Sequence, residues 1–363
     1  MAQRPVKEIG IQKISKIEKL NSKHKIRIKV CLGFRYSDLG FKLVLKMTFN
    51  DRIKVFKRTM ARNSLFFWSA LLTRLPYGVV CFISRILIAI GFRLTIKQRQ
   101  ITMESLHIAF GNEKSPKERE MIAKECFETV GKGMVELMYF SAHPQMVKER
   151  VVFEGREHLD AAFRMGKGVV AVSAHFGNFP LMLLRFAQEG YKTNAIIRPT
   201  RDTKIEEYFQ EKRSALGLNT IYSMPRKQCV ETSLRVLRNN EFLFIPLDQN
   251  FGSDGGVFVE FFGQKAATAT GPVVFAMRTL SPILPIFIVR QNDDTHKILI
   301  DPPLMLEQGA DDKETIHRNT ARITKIIETY IRKYPKEWGW MHRRWKSRPK
   351  GEAELIIETV KAA

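Results

Sequence analysis

Short apolar runs, each bounded by glycine or polar residues and followed by a stretch of helical character, recur along the middle of this chain. They limit its fold more than any other feature. Gly168–Ala174 (GVVAVSA) reads as a buried strand, the stretch Phe179–Gln188 as the helix after it, and Thr193–Arg198 (TNAIIR) as the next strand. Phe242–Leu247, Ile283–Arg290 and Lys297–Ile300 are further strand candidates, interleaved with helical stretches at Lys204–Leu216, Gln228–Arg238, Pro272–Leu280 and Glu314–Lys333. Strands that alternate with helices predict an α/β sheet, whose functional residues belong just beyond the carboxyl ends of its strands. His175, Arg198 and Asp248 all occupy such positions.

The region before the sheet has a different chemistry. Residues 1–60 carry 16 lysines and arginines against 4 acids, a net +12 within a chain whose formal charge is +23. Such a balance calls for a polyanionic partner: nucleic acid, an anionic membrane or an acidic carrier protein. Residues 1–60 read as a basic extension that lies on anionic lipid or stays a solvated tail, with Met47 and Met60 as alternative starts. The opening residues have no apolar core of secretory-signal type behind their basic residues.

Leu65–Leu94 is then dominated by apolar residues, but Arg74, Pro76 and Arg85 interrupt it. The uninterrupted part falls short of the roughly 20 residues of a clean spanning helix. Two helices hinged at Pro76, with Trp68 at the interface and Arg74 and Arg85 reaching to headgroups, would lie in one leaflet; a single crossing and a buried helix pair are the alternatives. Ser115-Pro116 opens a helix within a helical region at 95–150. The expected division is therefore 1–60, a membrane-associated helical segment at 61–94, a catalytic domain at 95–350 and a tail at 351–363. Cys31, Cys81, Cys126 and Cys229 form no Cys-x-x-Cys pair, which argues against a metal site and for a reducing compartment.

His175 follows a strand directly and precedes the small polar turn Phe176-Gly177-Asn178. An imidazole at a sheet edge can take a proton from a hydroxyl at neutral pH. An isolated histidine is more often structural than catalytic, so this placement alone leaves both readings open.

Six segments, in order, carry more. VVAVSAHFGNFP, AIIRP (Ala195–Pro199), PLDQN (Pro246–Asn250), FVEFFGQKAATATGP (Phe258–Pro272), PILPIFIVR (Pro282–Arg290) and YPKEWGWMHRRWK (Tyr334–Lys346) together resemble the lipid A biosynthesis acyltransferase family, of lauroyl and myristoyl type, within the lysophospholipid acyltransferase superfamily. The resemblance spans about residues 66–346. It implies a mixed sheet flanked by helices, like that of glycerol-phosphate acyltransferases, behind an N-terminal membrane-associated helical segment. It further implies transfer of a fatty acyl chain from an acyl-carrier-protein thioester, or acyl-CoA, to a lipid A precursor or related glycolipid. The place would be the cytoplasmic face of a bacterial inner membrane, monotopic or single-pass, with no cofactor or metal.

In that resemblance His175 is the general base. The family pattern puts a Glu or Asp five residues later, where this chain has Pro180, and Asp248 of the PLDQN turn is the best replacement. Arg198 would hold an acceptor phosphate or the developing oxyanion, or else form a surface ion pair. Asn178 and Gln249 would contact substrate, and Gly263, Thr268, Thr270 and Gly271 would form a loop whose amides bind an anion or shape an acyl channel, unless they only cap a helix. Trp340, Arg343 and Arg344 of the terminal segment mix indoles with cations, as an interfacial belt or carrier dock would; a packed cap is the alternative. Nothing beyond charge supports a nucleic-acid partner: zinc-finger spacing, RNP-like aromatics and a helix-turn-helix are all missing from the sequence.

Overall fold

A computed structural model describes residues 49–200, 202–252 and 255–352. Cys31, most of the basic extension and most of the tail lie outside the described residues. The chain divides into two units, Met1–Ser64 and Leu65–Ala363. Of the first, the described part is the start of helix α1 (Phe49–Leu72).

The second unit is built on β2 (Val169–Ser173), buried at all five positions. A strand buried at every residue needs cover on both faces. Val170 and Val172 enter one core cluster with Leu243, Ile245, Phe287 and Val289, whereas Val169 and Ala171 enter another with Phe242, Phe244, Leu284 and Ile286. β5 (Phe242–Pro246) and β8 (Ile283–Arg290) flank β2. β3 (Thr193–Ile197) and β4 (Leu218–Tyr222) extend the sheet on one side, and β9 (His296–Ile300) and β1 (Val151–Glu154) on the other. The order is β1-β9-β8-β2-β5-β3-β4, parallel throughout except for the antiparallel β8–β9 pair. The sheet is therefore mixed and flanked by helices, as expected.

Two edge strands were not expected. β1 and β4 are short and only part-buried, so no continuous apolar run marks them. A second departure is the hairpin of β6 (Val257–Phe261) and β7 (Gln264–Thr268). Its two-residue turn is Phe262-Gly263, both with positive φ, at 54° and 70°. Gly263 and Thr268, expected in a substrate-binding loop, are instead the turn of this hairpin and the last residue of its second strand.

Pro76 stands at the cap of α2 (Tyr77–Leu94), so the apolar segment does break there into two helices. α2 runs antiparallel to α4 (Pro116–Ala142), with Tyr77 beside Tyr139, Ile88 against Gly131 and Phe92 beside Phe127. A Cβ on Gly131 would come within 2.6 Å of the Ile88 side chain, so this glycine sets how closely the two helices approach. α4 opens as expected at Ser115, in a reciprocal capping box with Glu118. Among the described residues α2 is the one helix long and apolar enough to cross a membrane, and most of it is not covered by protein. Val79, Phe82, Ile86, Leu87 and Ile90 are exposed along it, as are Trp68 and Phe67 on α1.

Behind the sheet end, Glu136 is buried and takes both terminal nitrogens of Arg290 and Nε2 of His296, with the Asn178 amide donating to it as well. Burial works against its charge, but His296 and Arg290 hold its carboxyl down at about 2. Glu337, also buried, has no ion pair among the described residues, and burial, aided by the Glu136 charge, pushes its carboxyl up to about 7. An unfolded chain releases that proton near 4.5 while the folded one keeps it to about 7, so stability falls as pH rises between those values. The loss is complete above pH 7 and amounts to about 3 kcal/mol. Denaturant unfolding of Glu337→Gln from pH 4.5 to 8 should lack this slope, leaving the variant relatively more stable than the parent at pH 8.

Candidate active site

β2 and β5 pair in parallel with Ser173 opposite Pro246, and Leu247 extends the pairing by donating its N–H to the Ser173 carbonyl at 2.9 Å. Two residues past that register on each strand stand His175 and Asp248. Their meeting follows from the register: His175 Nδ1 lies 2.8 Å from Asp248 Oδ1, and the His175 backbone N–H donates to Oδ2 at 2.9 Å. The turn after His175 needs glycine. Gly177 has φ +55°, and a Cβ there would come within 2.1 Å of the Ile288 carbonyl oxygen.

Asp248 is buried and ionised, so it can only accept hydrogen bonds. Nδ1 of His175 must therefore carry the ring proton, leaving Nε2 as the accepting nitrogen. Nε2 faces the open side, where the Gln249 amide nitrogen lies at 3.2 Å, and the His175 side chain is about one-third exposed. The Trp338 indole N–H donates to Asp248 Oδ2 at 2.8 Å, and His342 Nε2 contacts the Asp248 carbonyl at 3.2 Å. Burial pushes the Asp248 carboxyl up, but the His175 charge and hydrogen bond, the nearby His342 and the Trp338 indole hold it well below the ordinary carboxylate range. For His175, burial pulls the imidazole down and the Asp248 charge and hydrogen bond more than offset it, so its pKa is raised above 6.5.

His175 opens into a cavity of about 1180 Å³. Small-molecule pockets are usually about 300–1,000 Å³. Its walls are apolar: Phe179, Leu183 and Leu184 from α7 (Phe179–Gln188), Phe244 from β5, Val230 from α9 (Arg226–Arg238) and Phe275 from α10 (Gly271–Thr279). Among the described residues five cations, Arg198, Lys212, Arg213, Arg226 and Arg278, also line it, and no Asp or Glu does. Arg213 is paired to Glu206, whereas Arg198, Arg226 and Arg278 are exposed.

The remaining expected residues divide. Arg198, Gln249, Thr270 and Gly271 line the cavity with His175. Asn178 does not: it is buried, its amide donates to Gly133 and Glu136, and its side-chain oxygen caps α7. Thr268 is buried too and accepts from Arg344. Arg344 and Trp340, expected at a membrane or carrier, are fully buried, with Arg344 bonded to the Ala267 carbonyl and Trp340 to that of Pro335. Burial lowers the Arg344 guanidinium to about 10. The terminal segment is thus a packed cap, because its indoles fill the end of the core. Arg343 alone of that group stays exposed, 3.6 Å from Glu104. Arg85 is exposed on α2, and Arg74, in the turn after α1, bonds back to the Ala70 carbonyl of that helix. Arg226 and Arg278 are cavity residues that sequence reasoning missed, since a position at a helix end says nothing of what they face; Trp338 was expected only within the terminal belt or dock.

Among the described residues no group of three or more His, Cys, Asp or Glu is placed to hold a metal ion. Cys81, Cys126 and Cys229 are free thiols, and burial pushes the Cys126 thiol up to about 12.

Residues 47–347 match the family described as bacterial lipid A biosynthesis acyltransferase. The chain belongs to this family. The acyltransferase is 26% identical over 298 residues to the lipid A biosynthesis palmitoleoyltransferase of Escherichia coli K12, covering 78% of this chain and 90% of that protein. It is 26% identical over 284 residues to the lauroyltransferase of the same organism, covering 77% and 90%. Among solved structures, the 1-acyl-sn-glycerophosphate acyltransferase PlsC of Thermotoga maritima aligns with 66% of this chain and 96% of its own, at 13% identity and a TM-score of 0.32.

The acyltransferase lacks a carboxylate at Pro180, which lies in the first turn of α7 and lines the cavity. The carboxylate on Nδ1 is Asp248. Pro180→Glu should therefore leave the His175 titration where it is, whereas Asp248→Asn should lower it toward or below 6.5, both read by histidine NMR across pH 5–9.

Proposed function

We propose that this acyltransferase moves a fatty acyl chain from an acyl-carrier-protein thioester to a hydroxyl of a lipid A precursor or related glycolipid, at the cytoplasmic surface of the inner membrane. One observation carries the reading: a histidine whose Nδ1 is bound to a buried carboxylate presents its accepting nitrogen, Nε2, to a large apolar cavity.

The chemistry follows from that arrangement. The acceptor hydroxyl oxygen attacks the thioester carbonyl carbon while His175 Nε2 takes its proton. The imidazolium so formed is stabilised by Asp248, which stays ionised. The C–S bond then breaks, and the departing sulfur recovers the proton from Nε2. The apolar wall of Phe179, Leu183, Leu184 and Phe244 takes hydrocarbon, which gains about 0.8 kcal/mol per buried methylene. Arg198, Arg226 and Arg278, exposed on this lining, suit the negative charges of a phosphorylated headgroup.

The exposed apolar side of α2 supports attachment to one leaflet. Arg85, near the middle of this helix, is exposed, so its charge would have to cross the hydrocarbon in a spanning arrangement but can reach headgroups in a monotopic one. Trp68, Arg74 and Arg343 would meet the same surface.

The test is direct. Protein in detergent or vesicles, given acyl-carrier-protein thioester and a lipid A precursor, should yield an acceptor heavier by one acyl chain, read by mass spectrometry; no product would sink the reading. His175→Ala should transfer at least about 100-fold more slowly. Since the base works only when neutral and its pKa is raised, kcat/KM should fall as pH drops through a value above 6.5. In Asp248→Asn that limb should move to lower pH, with kcat reduced by about 10²–10⁴.

A further inference from the structure

The segment Glu337–Gly339 runs beside the His175 turn as a two-stranded clasp. The Gly177 N–H donates to the Glu337 carbonyl at 2.7 Å, the Gly339 N–H donates to the His175 carbonyl at 3.2 Å, and Phe176 and Trp338 face each other as an antiparallel bridge between them. Trp338 at its centre is fully buried and does not line the cavity, so it touches no substrate. Its ring is boxed by Phe261 at 5.6 Å, Trp340 at 4.5 Å and His342 at 5.0 Å, and its carbonyl takes the Cys126 thiol at 3.0 Å. That packing leaves the indole little freedom, and its N–H is aimed at Asp248 Oδ2.

Asp248 needs such a partner. A carboxylate can turn about its last bond, and among the described residues Oδ2 otherwise has only the His175 backbone N–H. With the indole also on Oδ2, the plane of the carboxylate is fixed and Oδ1 is left to His175 Nδ1 alone. We propose that Trp338 is a positioning residue of the acyl-transfer site: its indole N–H holds Asp248 so that the carboxylate keeps His175 in the tautomer and orientation a base requires. This rests on His175 being the base, and it gives Trp338 of the terminal segment a role in chemistry.

The experiment compares Trp338→Phe with Trp340→Phe in the full-length protein. Both remove an indole from the same buried cluster, but the Trp340 N–H goes to the Pro335 carbonyl and not to Asp248. Thermal unfolding establishes that each variant folds. Trp338→Phe is expected to lower kcat by about tenfold or more, as the loss of a hydrogen bond to a charged group does, with KM for the thioester within about twofold. It should also broaden or remove the exchange-protected His175 Nδ1–H resonance, assigned by its loss in His175→Ala. Trp340→Phe should keep both the resonance and kcat. A Trp338→Phe protein that retains kcat and the resonance, or a Trp340→Phe protein that loses both to the same extent, would overturn the proposal. The resonance reads the lock without any turnover, so activity surviving in His175→Ala would overturn the general-base reading while leaving this one to be judged on the spectrum.

Discussion

A carboxylate buried at the end of a sheet must have its charge satisfied, and the arrangement of this protein around Asp248 meets that demand. Oδ1 takes the imidazole of His175; Oδ2 takes the His175 backbone N–H and the Trp338 indole. Removing the partners would leave an uncompensated buried charge, which costs several kcal/mol. The donors come from the turn after β2 and from the carboxyl-terminal cap, while the acceptor comes from the turn after β5. Three distant parts of the chain are therefore tied at one point, and the point coincides with the opening of the cavity.

Register supplies the geometry. Because β2 and β5 are parallel neighbours with Ser173 opposite Pro246, two residues of overrun on each place His175 and Asp248 side by side. An orienting carboxylate on the following helix is then unnecessary, and Pro180 can take a first-turn position where its missing N–H costs nothing. The same strand ends border a cavity whose described lining joins an apolar wall to the cations Arg198, Arg226 and Arg278, the combination on which the proposed substrate class rests.

Much of this was legible in the residues. The buried strands announced themselves as continuous apolar runs; His175, Arg198 and Asp248 stood out by their place after strands, and Gln249, Thr270 and Gly271 entered only through the family resemblance. Asn178 misled because a polar residue in a glycine turn looks the same whether it faces substrate or caps a helix. Gly263 and Thr268 misled because a tight hairpin and a flexible loop share a composition. Trp340 and Arg344 misled most: indoles and cations in alternation suit an interface, and only burial distinguishes that from a core whose one guanidinium is bonded to Ala267 and Thr268.

The sequence by itself determined the α/β class, the break at Pro76, the family and the histidine, since these depend on periodicity, local backbone chemistry and ordered motifs. Tertiary structure brought Asp248, already the sequence's best replacement carboxylate, onto that histidine, and alone decided what fixes the carboxylate and which cations face the cavity. Those are contacts between residues 73, 90 or more positions apart, set by strand order and packing. A linear pattern records which groups are present, but the pairing of a buried charge is chosen by the fold that encloses it.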